Sequence, residues 1–175
     1  MSAFQRLYRG YGQLLRAMGL VSAVATFLMM LLVVANIIGR YLFNKPLDGT
    51  LEFTESLLVL IIFLSVALTQ YDGGHIRVTL LRRRLPKSWA QALDIFCMIA
   101  GAAFFTWCTY AAWRFALQSW SFKEQEWGTV VFPLYPVKFV VFVGLLMLAV
   151  QFLLDAIAET VMPIKADDDG AMERL

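Results

Sequence analysis

The sequence predicts an all-α integral membrane protein with four transmembrane helices, and three observations carry this prediction. The 175 residues are 60% hydrophobic and only 16% charged, against roughly 45–50% and 25% in soluble proteins. The apolar residues fall into four blocks, each close to the about 20 residues that cross a bilayer core. Hydrophobicity is even within each block, whereas barrel strands alternate over about 10 residues. The composition therefore argues against a soluble enzyme and against a partner such as nucleic acid.

The predicted organisation is a single membrane domain with short flanking segments. The first block has no charge and is too long for the apolar region of a cleaved signal peptide, so we expect it to remain as a helix. The second block has no charge after Glu55, the third has only Asp94, and the fourth has only Lys138. The predicted parts are an N-terminal segment at 1–16, a four-helix domain at 17–154 with helices at about 17–38, 51–71, 89–113 and 132–154, and a partly disordered tail at 155–175.

The positions of lysine and arginine predict the orientation of the chain in the membrane. Ten of the 15 basic residues lie before the first helix, between the second and third helices, or in the tail. Because basic loops stay on the cytoplasmic side, both termini are expected to be cytoplasmic. The loops 39–50 and 114–131 are then expected to face outward.

The centres of the four predicted helices lack ionisable side chains, which is informative about transport. An ion or solute path through a membrane normally requires charges or broken helices near the midplane. Glu52 and Glu55 instead share a face at the start of the second helix, where negative charge suits the helix dipole. We hypothesise that Arg40, at the outer end of the first helix, pairs with one of these two carboxylates.

Other polar residues have structural explanations. Gly73 and Gly74 are expected to end the second helix, since glycine readily adopts the left-handed conformation after a helix. Pro133 and Pro136 are tolerated in the first turn of the fourth helix, and Lys138 can extend toward the headgroups. One histidine and two cysteines leave little from which to build a metal or haem site, so no catalytic residue, metal or cofactor is predicted. Candidate ligands for anionic lipid headgroups are Arg82, Arg83, Arg84 and Lys87.

Three segments of the chain resemble a known family. Residues 36–47, which read Asn-Ile-Ile-Gly-Arg-Tyr-Leu-Phe-Asn-Lys-Pro-Leu, are followed by Gly-Thr-Leu-Glu at 49–52. This string resembles the first outer loop of the small membrane subunit, called Q or DctQ-type, of tripartite ATP-independent periplasmic (TRAP) transporters. Residues 73–78, Gly-Gly-His-Ile-Arg-Val, are similar to the family's segment after helix 2. Residues 127–129 and 132–138 resemble its start of helix 4.

The resemblance implies a function and a set of partners. A large M-type membrane subunit would carry the substrate and sodium sites, and a periplasmic receptor would deliver an organic acid or similar solute. The small subunit, in the bacterial inner membrane and surrounded by its lipids, would support the large subunit and help dock the receptor. Many members have a tryptophan and two adjacent glutamates before helix 2, where this chain has a Gly-Thr-x-Glu variant. The candidate interface or structural residues are Asn36, Arg40, Asn44, Pro46, Glu52, Glu55, Gly73, Gly74, His75, Arg77, Pro133, Pro136 and Lys138.

Two alternative functions remain open from the residues alone. The first is a membrane anchor or assembly subunit of a redox complex, which would require a haem or quinone site. The second is a small self-sufficient exporter, which normally needs a carboxylate buried in the centre of a helix.

Overall fold

In the residues that it describes, a computed structural model shows four long helices and one short hairpin. The structure describes residues 3–73, 86–128 and 130–161. The elements are helices α1 (Ala3–Leu42), α2 (Thr50–Tyr71), α3 (Lys87–Phe122) and α4 (Tyr135–Val161), with strands β1 (Gln125–Trp127) and β2 (Val131–Pro133) between α3 and α4. All four helices are long and apolar enough to cross a membrane. The predicted all-α membrane fold is therefore confirmed, while the orientation of its termini stays a prediction.

The helices lie in an open row in the order α1, α2, α4, α3. Extensive contacts join α1 to α2, α2 to α4, and α4 to α3. Glycines allow close approach at all three of these boundaries. Gly12 and Gly19 of α1 lie against Tyr71 and Leu68 of α2. Gly144 of α4 lies against the backbone carbonyl of Phe63 in α2. At Gly101 of α3, an added Cβ would be 2.8 Å from the ring of Phe152 in α4.

Packing is concentrated where three helices meet, and much of the remaining apolar surface is exposed. Leu15, Ala67 and Leu148, from α1, α2 and α4, form the buried centre of this cluster. Large apolar side chains elsewhere face outward, such as Leu20 of α1 and Trp107 of α3, which are 68% and 77% exposed. This apolar surface must be covered by lipid or by a protein partner, because its exposure to water is unfavourable.

The helices extend further than the hydropathy blocks that predicted them. At 1.5 Å per residue, α1 is about 60 Å long, twice the about 30 Å of a bilayer core. Its N-terminal turns continue as helix because Tyr11 and Leu15 pack on the other helices, and Gly12 lets the ring of Tyr71 approach. Hydropathy marks the part of a helix that lipid covers, whereas packing of this kind decides where the helix ends.

The boundaries of α3 and α4 also differ from the prediction, for local reasons. Helix α3 continues to Phe122, past the predicted 113, and Trp120 in its last turn packs on Tyr135 and Phe139. Helix α4 begins at Tyr135 and not at 132, because Val131–Pro133 is paired as a strand. It continues to Val161, so the first residues of the predicted tail are helical, and 162–175 lie outside the described residues.

Candidate functional site: the hairpin end and the opposite polar cluster

In the described residues, two polar regions lie at opposite ends of the helices, one at each end of their length. We call the end that carries β1 and β2 the hairpin end; α1 finishes there and α2 begins there. The other region, the opposite cluster, consists of Tyr8, Gln70, Gln151 and Asp155. Along α2, Glu52 and Gln70 are 18 residues apart, about 27 Å of helix. The two regions thus bracket an apolar thickness close to that of a bilayer core.

At the hairpin end, the loop after α1 is held by the motif that the sequence analysis singled out. The Asn36 side-chain oxygen accepts a hydrogen bond from the backbone N–H of Leu47 at 2.9 Å. The Gly39 carbonyl accepts one from Lys45 at 2.9 Å, and a Cβ on Gly39 would be 2.7 Å from the Lys45 carbonyl oxygen. Asn44 makes the reversal possible with a φ of 51°, in the left-handed region that asparagine tolerates. Pro46, two residues after Asn44, is exposed.

Glu52 is buried against the hairpin turn and not paired with Arg40. Its side chain is only 3% exposed, and its Oε1 accepts a hydrogen bond from the backbone N–H of Val130 at 3.4 Å. The Glu52 carboxylate also lies directly against Gly128. Val130 in turn lies 3.0 Å from a Cβ built on Gly49, the left-handed residue that precedes α2. The turn is therefore seated on the N-terminus of α2 at two points.

The hypothesis of an ion pair from Arg40 to Glu52 or Glu55 is wrong. Among the described residues, no ion pair joins Arg40 to either carboxylate. Glu52 is turned toward the backbone of the hairpin, and Glu55 lies exposed on α2. The i,i+3 spacing predicted similar surroundings for the two glutamates. In the structure, Glu52 is buried, whereas Glu55, about one turn later, is exposed.

The base of the hairpin is fixed by an ion pair from α4. Lys138 donates to Oε2 of Glu124 at 2.5 Å, and its ammonium lies 3.8 Å from the centroid of the Phe115 ring. The hydrogen bond from Lys138 lowers the pKa of the Glu124 carboxyl below its ordinary value of 4.5. Lys123 ends α3 in the left-handed conformation, with Glu124 N–H donating to the Ser119 carbonyl. This helix-ending pattern directs the chain from α3 into β1.

The proline and glycine positions correspond to changes in backbone direction. Pro133 is the last residue of β2 and lies opposite Gln125, while Pro136 lies in the first turn of α4, where its missing N–H costs little. Gly73 follows α2 with a φ of 73°, the left-handed conformation predicted from the sequence. Six candidates lie outside the described residues: Gly74, His75, Arg77, Arg82, Arg83 and Arg84. Lys87 is the first residue of α3, and its side chain is also outside them.

The opposite cluster was missed by the sequence analysis. Asp155 of α4 accepts hydrogen bonds from Gln70 of α2 at 2.8 Å, from Tyr8 of α1 at 3.1 Å, and from Gln151 one turn earlier at 2.6 Å. Gln151 is fully buried. A carboxylate that is surrounded by donors is stabilised inside an apolar protein, and here it connects three helices. Within the described residues, no group of three or more potential metal ligands occurs.

Comparison with known proteins decides the family. The family described as "Tripartite ATP-independent periplasmic transporters, DctQ component" matches residues 29–161, well over half of the chain. The chain belongs to this family. It is also similar to the ectoine TRAP transporter small permease protein TeaB of Halomonas elongata, with 26% identity over 138 residues, covering 79% of this chain and 71% of TeaB. The resemblance stated from the sequence is thus confirmed, and the family is a class of transporter permease subunits, not of enzymes.

Family membership is consistent with helix centres that lack ionisable side chains in the sequence. TRAP small permeases are one component of a multi-part transporter, so a solute path need not run through this subunit alone. The matched region covers α2, α3, α4 and the hairpin, together with α1 from residue 29. The hairpin end therefore lies entirely within the part of the chain that the family shares.

Proposed function

We propose that this small permease subunit supports the large permease subunit in the bacterial inner membrane and helps dock the solute receptor during ion-coupled import. The family match over 29–161 carries the proposal, because it identifies the chain as one component of a tripartite transporter. The solute is expected to be an organic acid or a similar small molecule, with sodium as the coupling ion. Neither catalysis nor a bound cofactor is part of this function.

The exposed helix surfaces support a scaffolding role. The row has apolar side chains on its outermost helices, such as Phe27 of α1 and Phe104 of α3, which lie exposed within candidate membrane spans. An open row can present an extended apolar surface to a larger membrane protein. We expect the chain to co-purify with the large permease subunit of its transporter when the two are expressed together. Stable, monodisperse behaviour of the lone chain without such a companion would contradict the proposal.

The rigid hairpin end supports a docking role. Its turn is seated on Gly49 and Glu52, its base is held by Lys138, and the apolar side chain of Val131 is more than half exposed. A surface fixed in this way loses little conformational entropy when a partner binds. Val131→Glu is expected to weaken receptor-dependent uptake by the reconstituted three-component transporter. The matched control is Leu7→Glu. It places the same charge near the start of α1, far from the hairpin end, and should leave uptake unchanged.

The proposed topology places both termini in the cytoplasm and the hairpin end in the periplasm. A cysteine-labelling experiment tests this in a Cys97→Ala, Cys108→Ala background. A membrane-impermeant maleimide is expected to label Lys123→Cys in cells with a permeable outer membrane. Arg6→Cys, exposed near the start of α1, is expected to react only after the inner membrane is opened. The reverse pattern would overturn both the orientation and the docking role.

The transport role itself is tested by uptake into proteoliposomes. We expect the lone chain to give no uptake and the complete three-component system to depend on a sodium gradient. Uptake by the lone chain would contradict the scaffold role. Uptake by the complete system without any dependence on sodium would contradict the proposed coupling ion.

A further inference from the structure

An apolar groove opens on the surface of the membrane domain between α3 and α4. It has a volume of about 340 Å³ and is lined by Thr106, Thr109, Tyr110 and Trp113 of α3 and by Phe142 of α4. The rings of Trp113 and Phe142 pack with their centroids 4.9 Å apart at one side. The lining residues all lie within the candidate spans of the two helices, so the groove faces the membrane or a membrane partner.

The groove offers an occupant almost no polar contact. Thr109 is buried, and its hydroxyl already donates to the Phe105 carbonyl at 2.7 Å. The other lining residues are Thr106 and three aromatic side chains, and none of the lining residues is charged. A volume of this size is in the range of pockets that hold small ligands, roughly 300 Å³ and above. The chemistry of the lining fits a hydrocarbon chain.

A cation lies beside the groove, toward the hairpin end. Arg114 is exposed, and it follows Trp113 and lies four residues after Tyr110, which places it on the same face of α3 as that lining residue. It is eight residues before Phe122, about 12 Å from the end of the helix. A charge at such a depth is costly unless it reaches a partner or the headgroup region.

Nothing in the described part of the chain neutralises Arg114. No ion pair joins it to a described carboxylate side chain, and Glu124, the acidic residue held at this end of α4, is bonded to Lys138. Lys138 is itself largely covered and lies over the Phe115 ring. Among the described residues, Arg114 is thus an available cation at the rim, and a guanidinium binds phosphate oxygens through two parallel hydrogen bonds.

We propose that this groove binds one phospholipid of the leaflet at the hairpin end, with an acyl chain against Thr106 and Trp113 and the phosphate on Arg114. Charge complementarity selects this occupant. An apolar side chain of a partner protein would fill the groove but would leave the neighbouring arginine unused. A phospholipid satisfies the apolar lining and the cation together.

The test is native mass spectrometry of the full-length, delipidated chain titrated with palmitoyl-oleoyl phosphatidylglycerol. Arg114→Gln is expected to weaken binding about fivefold, in line with the value of one basic residue near an anionic headgroup. Thr106→Phe, on an exposed position of the groove, is expected to abolish the tight adduct. The matched control is Lys45→Gln, which removes an exposed cation from the other loop of the hairpin end and should leave binding unchanged.

Three results would overturn the proposal. Equal weakening by Lys45→Gln would show general attraction of the anionic lipid to basic protein. Binding that survives Thr106→Phe would place the lipid outside the groove. Equally tight binding of palmitoyl-oleoyl glycerol, which lacks the phosphate, would show that Arg114 has no part and that the groove accepts any apolar chain. Thermal unfolding of each variant separates these readings from a failure to fold.

Discussion

The carboxylate of Glu52 lies directly against Gly128, leaving no space for a methyl group between helix α2 and the hairpin turn. This contact joins the start of one membrane helix to a turn that is 76 residues further along the chain. The close approach requires glycine at position 128, because a side chain there would displace either the buried carboxylate or the turn.

Gly128→Ala is therefore expected to destabilise the hairpin end. The added methyl group would push Glu52 away, at a cost of about 1–3 kcal/mol, as is typical of overpacking. Thermal unfolding and limited proteolysis of the hairpin measure the effect. Gly10→Ala is the matched control, because nothing lies within 4 Å of a Cβ at Gly10. Equal stability of the two variants would show that Glu52 moves aside without loss.

Asp155→Ala is expected to destabilise the protein by about 3 kcal/mol. Three donors, on Tyr8, Gln70 and Gln151, would lose their acceptor, and unpaired buried polar groups cost about 1–3 kcal/mol each before relaxation. Asp72→Ala removes an exposed carboxylate near the same end of α2 and should change stability by less than about 0.5 kcal/mol. Denaturation in a fixed detergent gives the comparison, and a small effect at Asp155 would mean that water replaces it readily.

Tyr8→Phe tests the hydroxyl of Tyr8, which donates to Asp155 at 3.1 Å and accepts from Gln151 at 3.4 Å. The loss of the hydroxyl that donates to Asp155 is expected to cost about 1 kcal/mol. In the Asp155→Ala background the same change should cost less, because the acceptor is already absent. Strictly additive effects in this double-mutant cycle would show that Tyr8 and Asp155 do not interact in the folded protein.

Asn44 is expected to be replaceable by glycine but not by valine. Its φ of 51° suits glycine, whereas a β-branched side chain is strained there by about 1–2 kcal/mol. Unfolding of Asn44→Gly and Asn44→Val compares the two changes at one position. Tolerance of valine would imply that the loop after α1 adopts another conformation without penalty.

The ion pair at the base of the hairpin is expected to break in acid. The pKa of Glu124 is lowered in the folded protein, so the carboxylate stabilises the fold above its ordinary pKa of 4.5. This contribution is lost as the pH falls from there through the lowered folded pKa, when the carboxyl is protonated. Proteolysis of the hairpin as a function of pH measures the change. Glu124→Gln should already behave at neutral pH like the acidified protein, and an unchanged pH profile in this variant would contradict the assignment.

The sequence predicted the number and kind of helices because lipid selects long apolar blocks, whatever the tertiary contacts. It also predicted the left-handed conformation of Gly73, which is a local property, whereas Asn44 was named only as an interface or structural candidate. The hairpin was missed because strands of three residues leave little periodic signal in Gln125–Trp127 and Val131–Pro133. The partner of Glu52 could not be predicted, because it is a backbone N–H from a distant turn.

The opposite cluster left a signal that could have been recognised. Gln151 is an isolated amide within an apolar block, and Asp155 follows it by four residues, on the same face of α4. Two polar residues spaced in this way on a membrane helix indicate an inward-facing contact. Their partners on α1 and α2 depended on the order of the helices, which the sequence did not reveal.

The arrangement of α1, α2, α4 and α3 in a row gives the protein two broad sides and two edges. A row of helices can pack one broad side against a neighbouring protein while the other side remains in contact with fluid lipid. A compact cylinder of the same four helices would shield much of that area within itself. In the proposed scaffolding role, the chain would enlarge the wall of a larger assembly with very little mass. Only a thin interior would then stabilise the chain when it is alone.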